Sequence, residues 1–324
     1  MSEKTATAVD EILIVAFGGP TPGCCKAFDE CPGEARCFVS GIFGHNEARK
    51  ARIDEVTQHY LDLGGFSDFN KHTQDQADAL KAELKKRGHN INIRCGYHHW
   101  MPWVRDVIAE QKRDGVGKVL VLIMAPHKSS VSWDLYLRIV GEGITLAGEG
   151  APQVVGVVDS WSEKPGFIKA IAGRIQEACE RDGVKIDDPA THLVMSAHSI
   201  PAPVARTSTY CKSIEETAKL VADELGVSKY TLAYQSQPSD SKIEWTGPGL
   251  EDVIEELGKR GDVKTIVGSA IGFLCDNVEV LHDLGVEGKE EAEKAGMKFV
   301  RAESVHTHPE FIALLADQVE AKLG

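Results

Sequence analysis

No stretch of this 324-residue chain approaches the ~18 consecutive apolar residues of a membrane span. The best candidates, 12–17 and 119–125, are soon interrupted by glycine or charge. The first ten residues are polar and hold no apolar core, so export through a signal peptide is not expected. Positive charge is in short supply. Lys and Arg number 36 against 49 Asp and Glu, and the net charge of −13 argues against a general nucleic-acid binder. Collagen-like repeats, sustained heptads and low-complexity tracts are all missing. So are two common nucleotide signatures: Gly18-Gly19-Pro20 does not complete a GxGxxG pattern, and there is no GxxxxGK[ST] loop. What remains is an acidic protein, expected in the cytoplasm, with 42% hydrophobic and 26% charged residues. Its length suits two domains of roughly 150 residues, each able to bury a core.

Cysteine is present but unevenly spread. Of eight, Cys95, Cys179, Cys211 and Cys275 stand alone, whereas Cys24, Cys25, Cys31 and Cys37 crowd together. A chain of this size without an export signal is expected to keep its thiols reduced. Metal and iron–sulfur sites use short spacings that close a chelate on one tight turn. Here the gaps are five residues and one pair is adjacent. Free thiols in a loop are therefore preferred over a bound cluster.

Apolar, β-branched runs alternate with amphipathic stretches along the whole chain. Strands are predicted over 12–17, 92–97, 118–124, 154–158, 192–196, 230–235, 263–268 and 298–301. Helices are predicted over 48–63, 73–86, 103–113, 165–181, 213–225, 250–260 and 309–323. This rhythm specifies α/β architecture with parallel sheets covered on both faces, and places ligand chemistry at the carboxyl ends of strands. The segment 160–166 is the best boundary between two halves, which show no alignable repeat.

Three segments stand out. Met195-Ser196-Ala197-His198-Ser199-Ile200-Pro201 puts His198 at the end of a strand, where a histidine binds metal, takes up a proton or simply caps a turn. The run from Gly272 to Glu287 spaces Glu279, Asp283 and Glu287 by four, stacking three carboxylates on one helical face. Such a ladder is either a solvated surface or a route for cations, and Gly285 weakens its third rung. Tyr234-Gln235-Ser236-Gln237 followed by Trp245-Thr246-Gly247-Pro248 is either a helix approach with a packed ring or an aromatic wall of a cleft.

In this order and spacing the three segments resemble the ferrochelatases, which insert ferrous iron into a porphyrin. Ser196-Ala197-His198-Ser199-Ile200-Pro201 is similar to the family's Ser-Ala-His-Gly/Ser-Leu-Pro motif. Gly272-Phe273 through Asp276, Glu279, Leu281 and Asp283 matches Gly-Phe-x-x-Asp-x-x-Glu-x-Leu-x-Asp. Further likeness lies in Ile14 to Pro20, in Tyr60-Leu61-Asp62-Leu63-Gly64-Gly65-Phe66-Ser67, and in Ala125-Pro126-His127-Lys128-Ser129. The resemblance implies two Rossmann-like, chelatase-type domains facing across a cleft, 1–160 and 161–308, with a final helix 309–324 packed back on the first. It implies that His198 and Glu279 form the catalytic, metal-handling pair and that Asp283 and Glu287 extend it as an outer acidic relay. Phe17, Tyr60, Ser67, His99, Tyr136 and Trp245 would bind the porphyrin. Ferrous iron enters as substrate, no cofactor is held tightly, and the enzyme is expected to be a monomer touching neighbouring heme-pathway enzymes transiently.

Departures from the family pattern matter. No arginine occurs in 41–45, where bacterial relatives often carry them. Gln237 replaces an arginine and Asn277 a frequent histidine. Phe17 leans toward coproporphyrin III over protoporphyrin IX. The competing functions are a cobalt or nickel chelatase for another tetrapyrrole and a non-catalytic tetrapyrrole carrier.

Overall fold

The computed structural model describes residues 9–23, 31–238 and 241–323. Among the described residues, eight parallel strands form two sheets. β1 (Glu11–Ala16), β2 (Asn92–Tyr97), β3 (Lys118–Ile123) and β4 (Gln153–Val157) lie in the order β2-β1-β3-β4. β5 (Thr191–His198), β6 (Tyr230–Gln235), β7 (Thr265–Ser269) and β8 (Lys298–Arg301) repeat it as β6-β5-β7-β8. One topology thus occurs twice although the halves share no alignable sequence. β1 shows why the sheets are covered on both faces: Glu-Ile-Leu-Ile-Val-Ala is buried at every position. Its one charge, Glu11, accepts hydrogen bonds from Asn92 and Gln111 and pairs with Arg94 at 3.0 Å.

Parallel strands need crossover connections, and helices supply them. The first half carries α1 (Glu34–Ile42), α2 (Lys50–Asp62), α3 (Phe69–Lys86), α4 (Val104–Arg113) and α5 (Trp133–Ala147). The second carries α6 (Pro165–Asp182), α7 (Ala202–Arg206), α8 (Tyr210–Leu225), α9 (Leu250–Arg260), a π-helical segment Val280–Glu287, α10 (Gly288–Lys294) and α11 (Pro309–Leu323).

Alternation along the strands decides which core each side chain joins. Ile12 and Ile14 face a cluster that also takes Leu193, Met195 and Val267 from the second sheet, with Leu80, Phe167, Ile214 and Phe311 between. Both sheets therefore share one continuous core, and α11 packs against both α3 and α6. Leu13 and Val15 face the other way, onto α4 and α5, while Val194 and Ile266 face α9 and α10. A smaller cluster joins Phe38 of α1 and Tyr60 of α2 to Trp100 and to Val278 of the second half.

The strand predictions agree with the structure to within a few residues. Among the described residues, α1, α5 and the shorter α7 and α10 were not predicted from the sequence. The helix predicted over 48–63 is a 3₁₀ turn, Glu47–Arg49, running into α2. The cysteine expectation needs one correction. Cys37 is disulfide-bonded, whereas Cys31, Cys95, Cys179, Cys211 and Cys275 are free thiols. Crowding cysteines in sequence raises their effective concentration for one another, a local effect that the compartment argument ignored. Cys24 and Cys25 lie outside the described residues.

Candidate active site

β5 ends at His198 and β7 at Ser269, side by side, and the loop after β7 brings Glu279 back over the end of β5. His198 Nδ1 bonds the carbonyl oxygen of Ser199. A carbonyl only accepts, so Nδ1 is the donor, and Nε2 is the nitrogen left facing the site. That Nε2 lies 3.8 Å from Glu279 Oε1. The Tyr210 hydroxyl holds the backbone of His198 by donating to its carbonyl at 2.9 Å.

The Glu279 loop is anchored at its start. Asp276 takes Arg301 Nη1 at 2.6 Å and the Ser304 N–H at 2.9 Å, with His306 Nε2 at 3.7 Å. Burial works to raise the Asp276 carboxyl, but His306, Arg301 and the Ser304 amide overcome it and hold the group well below the usual range. Asn277, the residue standing in for a histidine, accepts the Val280 N–H at 2.9 Å and so caps the helix that follows. Burial raises the Glu279 carboxyl; His198 opposes and Asp283 adds to the rise.

The acidic ladder sits on a π-helix rather than an α-helix. The Gly288 N–H reaches back five residues to the Asp283 carbonyl, the bond that defines the widened turn. Gly285 lies within it, with no positive φ. Glu279, Asp283 and Glu287 all line one cavity of about 490 Å³, with Arg52 and His59 of α2 opposite. Asp283 Oδ2 accepts from Ser236 Oγ and, at 3.4 Å, from Gln235 Nε2. Burial raises Glu287 too.

The first half supplies an aromatic wall. Phe17 packs on His99 with ring centres 4.5 Å apart and on Phe38 at 6.2 Å; Tyr60 meets Phe38 at 5.5 Å. Tyr136 approaches His98 at 6.3 Å. Burial pushes the Tyr60 and Tyr136 phenols up, and the Glu279 charge adds to both, so these rings share the Glu279 environment. Burial drives His99 down to about 3, so its imidazole is neutral near neutral pH. Ser67 is placed elsewhere. It lies under Gly19 and lines a neighbouring cavity of about 580 Å³ with Phe66, His72 and His306. Trp245 is half-buried beside Pro201, its indole N–H on Ser241 Oγ at 2.8 Å.

Sequence reasoning did not single out Arg52, His59, Tyr210 or His282, and quoted Gln235 and Ser236 only within a possible cleft wall. His59 and His282 neighbour Tyr60 and Asp283 in the sequence, but only the fold stacks their rings, 3.7 Å apart and 9° from parallel.

Two parallel four-stranded sheets, with an imidazole at the end of β5 and a carboxylate at the start of the π-helix beyond β7, define a chelatase-type fold. The structure of SirB from Bacillus subtilis matches it with a TM-score of 0.59 at 13% identity, covering 98% of this chain and 96% of that one. CbiX, the terminal enzyme of siroheme biosynthesis in denitrifying bacteria, matches with 0.52 at 15% identity, covering 96% and 98%. At these identities the likeness concerns the fold. The chain belongs to the ferrochelatase family, whose profile matches residues 44–323, and is an enzyme that inserts a metal ion into a porphyrin in heme synthesis. A ferrochelatase of Deinococcus radiodurans is 31% identical over 320 residues, covering 96% of this chain and 95% of that protein. A coproporphyrin III ferrochelatase of Mycolicibacterium smegmatis is 28% identical over 317 residues, covering 97% and 90%.

Proposed function

We propose that this protein inserts ferrous iron into coproporphyrin III in the cytoplasm, as a monomer without a tightly held cofactor, with His198 and Glu279 as the reacting pair. The observation that carries this is the 3.8 Å approach of His198 Nε2 to Glu279 Oε1 at the strand ends. Inserting Fe²⁺ into a free porphyrin forms four Fe–N bonds and releases two pyrrole protons. A ring nitrogen lone pair and a carboxylate suit both tasks, as ligands for the arriving ion and as proton acceptors. The raised Glu279 carboxyl binds a proton more readily than an exposed one, and the ladder through Asp283 and Glu287 then passes it toward solvent. The halves 1–160 and 161–308 act as the two walls of the cleft. Phe17, Tyr60, His99 and Tyr136 hold the macrocycle by apolar contact, and that binding energy supplies the strain that turns its nitrogens toward the metal. Ser67 and Trp245 act at the margins of the bound ring.

Phe17 and the coproporphyrin III relatives support the choice of porphyrin. Gln237 contributes no charge to substrate carboxylates, and its amide is committed to the Thr246 carbonyl. Anaerobic assay of the purified protein with Fe²⁺ and each porphyrin, following the Soret band, tests the reading. Turnover favouring coproporphyrin III is expected; preference for protoporphyrin IX, or no insertion into either, overturns it.

A further inference from the structure

We infer that Gln235 and Ser236, the last residue of β6 and the one after it, are positioning residues for metal insertion that fix Glu279 and Asp283 relative to His198. The inference rests on His198 and Glu279 being the reacting pair, and it names what holds that pair at its separation.

Gln235 supports both members. Its backbone lies opposite His198 in the β5–β6 register, and its carbonyl accepts the Ser199 N–H at 2.9 Å. The Ser199 carbonyl in turn takes His198 Nδ1. The Gln235 side chain reaches the other way. Its Oε1 accepts from Ser196 Oγ at 2.8 Å, and its Nε2 donates to the Glu279 carbonyl and to Asp283 Oδ2, each at 3.4 Å. The amide has one workable orientation, because the Glu279 carbonyl only accepts and the Ser196 hydroxyl can donate. Gln235 is 2% exposed, so this bridge is shielded from competing water.

A buried bridge might serve packing alone, and Ser236 argues otherwise. Its φ of 64° lies in the left-handed region, which glycine occupies at less cost than serine. That backbone delivers the Ser236 hydroxyl to Asp283 Oδ2, the oxygen that also faces Gln235. Local strain is thus spent on orienting one carboxylate in the cavity that Glu279 shares. The reaction needs such control. An imidazole and a carboxylate must meet one metal ion and two pyrrole protons, and a displacement of about 1 Å can cost on the order of 100-fold in rate.

Steady-state insertion of Fe²⁺ by the full chain, with thermal melts of each variant, tests this. Gln235→Leu should lower kcat by about 100-fold and leave the porphyrin KM within about twofold. Added to Glu279→Gln, it should cost less than about threefold more, because it acts through that residue. Ser236→Ala and Ser236→Gly should each lose about tenfold in kcat, although the glycine variant melts higher. Activity would then follow the hydroxyl and not the stability. The Ser236 pair decides the matter should Gln235→Leu fail to fold. A raised porphyrin KM with kcat kept, a Gln235→Leu loss that multiplies with Glu279→Gln, or parental turnover in Ser236→Gly would each overturn the inference. Full turnover in Glu279→Gln would instead overturn the reacting pair, and this inference with it.

Discussion

His198 and Glu279 owe their chemistry to opposite treatments by the fold. The histidine has one nitrogen tied to a carbonyl and the other left bare toward the carboxylate. The glutamate sits where burial raises its carboxyl above the usual range. Replacing His198 by Ala should nearly abolish metal insertion while leaving porphyrin affinity, measured by fluorescence quenching, within a few-fold. The ladder should respond in graded fashion. Glu279→Gln should lower kcat by about 100-fold or more, the loss typical of a missing general base. Asp283→Asn should cost less and Glu287→Gln least, because screening weakens an outer carboxylate beyond about 8 Å. The pH profile checks the same assignment. Glu279 accepts a proton only when ionised, and its titration is shifted upward, so insertion should fall as pH drops through that raised value. The acid limb should vanish in Glu279→Gln. A solvated acidic face would instead leave all three variants nearly silent.

Among the elements, α5 shows how packing overrides local preference. Its Gly141 and Gly143, with β-branched Ile139, Val140, Ile144 and Thr145, make a poor helix by propensity. Yet Gly143 is where α4 and α5 touch: a Cβ there would lie 2.7 Å from Ile108 Cδ1 and 3.3 Å from Arg105 Cα. Gly141 has open space around it. Adding a side chain should therefore have opposite signs two residues apart. Gly143→Val should destabilise by about 1–3 kcal/mol through overpacking. Gly141→Ala should stabilise by about 0.5–1 kcal/mol through reduced chain entropy. Thermal melts of the two variants check both.

Across the whole molecule, the two sheets behave as one folding unit because their inner faces share a core. Gln76 of α3 adds a polar tie, donating to the carbonyls of Leu274 and His306 in the other half at 2.9 and 3.0 Å. Denaturant unfolding should be a single transition by both near- and far-ultraviolet circular dichroism. Gln76→Leu leaves Leu274 O with the His306 N–H but removes the amide from His306 O. It should cost about 1–3 kcal/mol by stranding that carbonyl, and should lower the midpoint without splitting the transition. Two separated transitions in the parent protein would refute the shared core. Among the described residues no helix is long and apolar enough to cross a membrane.

Strand positions, α/β class and the strand-end location of His198 were legible in the amino-acid order, because burial on both faces writes itself as continuous β-branched runs. The spacing of Glu279, Asp283 and Glu287 was equally plain, since it is a property of one short segment. What the chain alone left open depends on residues far apart. The stacking of His59 on His282 needs α2 of one half to meet the π-helix of the other. The widened turn that carries the ladder, the displacement of Ser67 into a neighbouring cavity and the helix built over Gly141 and Gly143 are likewise decided by packing. Local periodicity reports which face of an element is buried; it carries no information on which distant face will cover it, and the site lies where those distant faces meet.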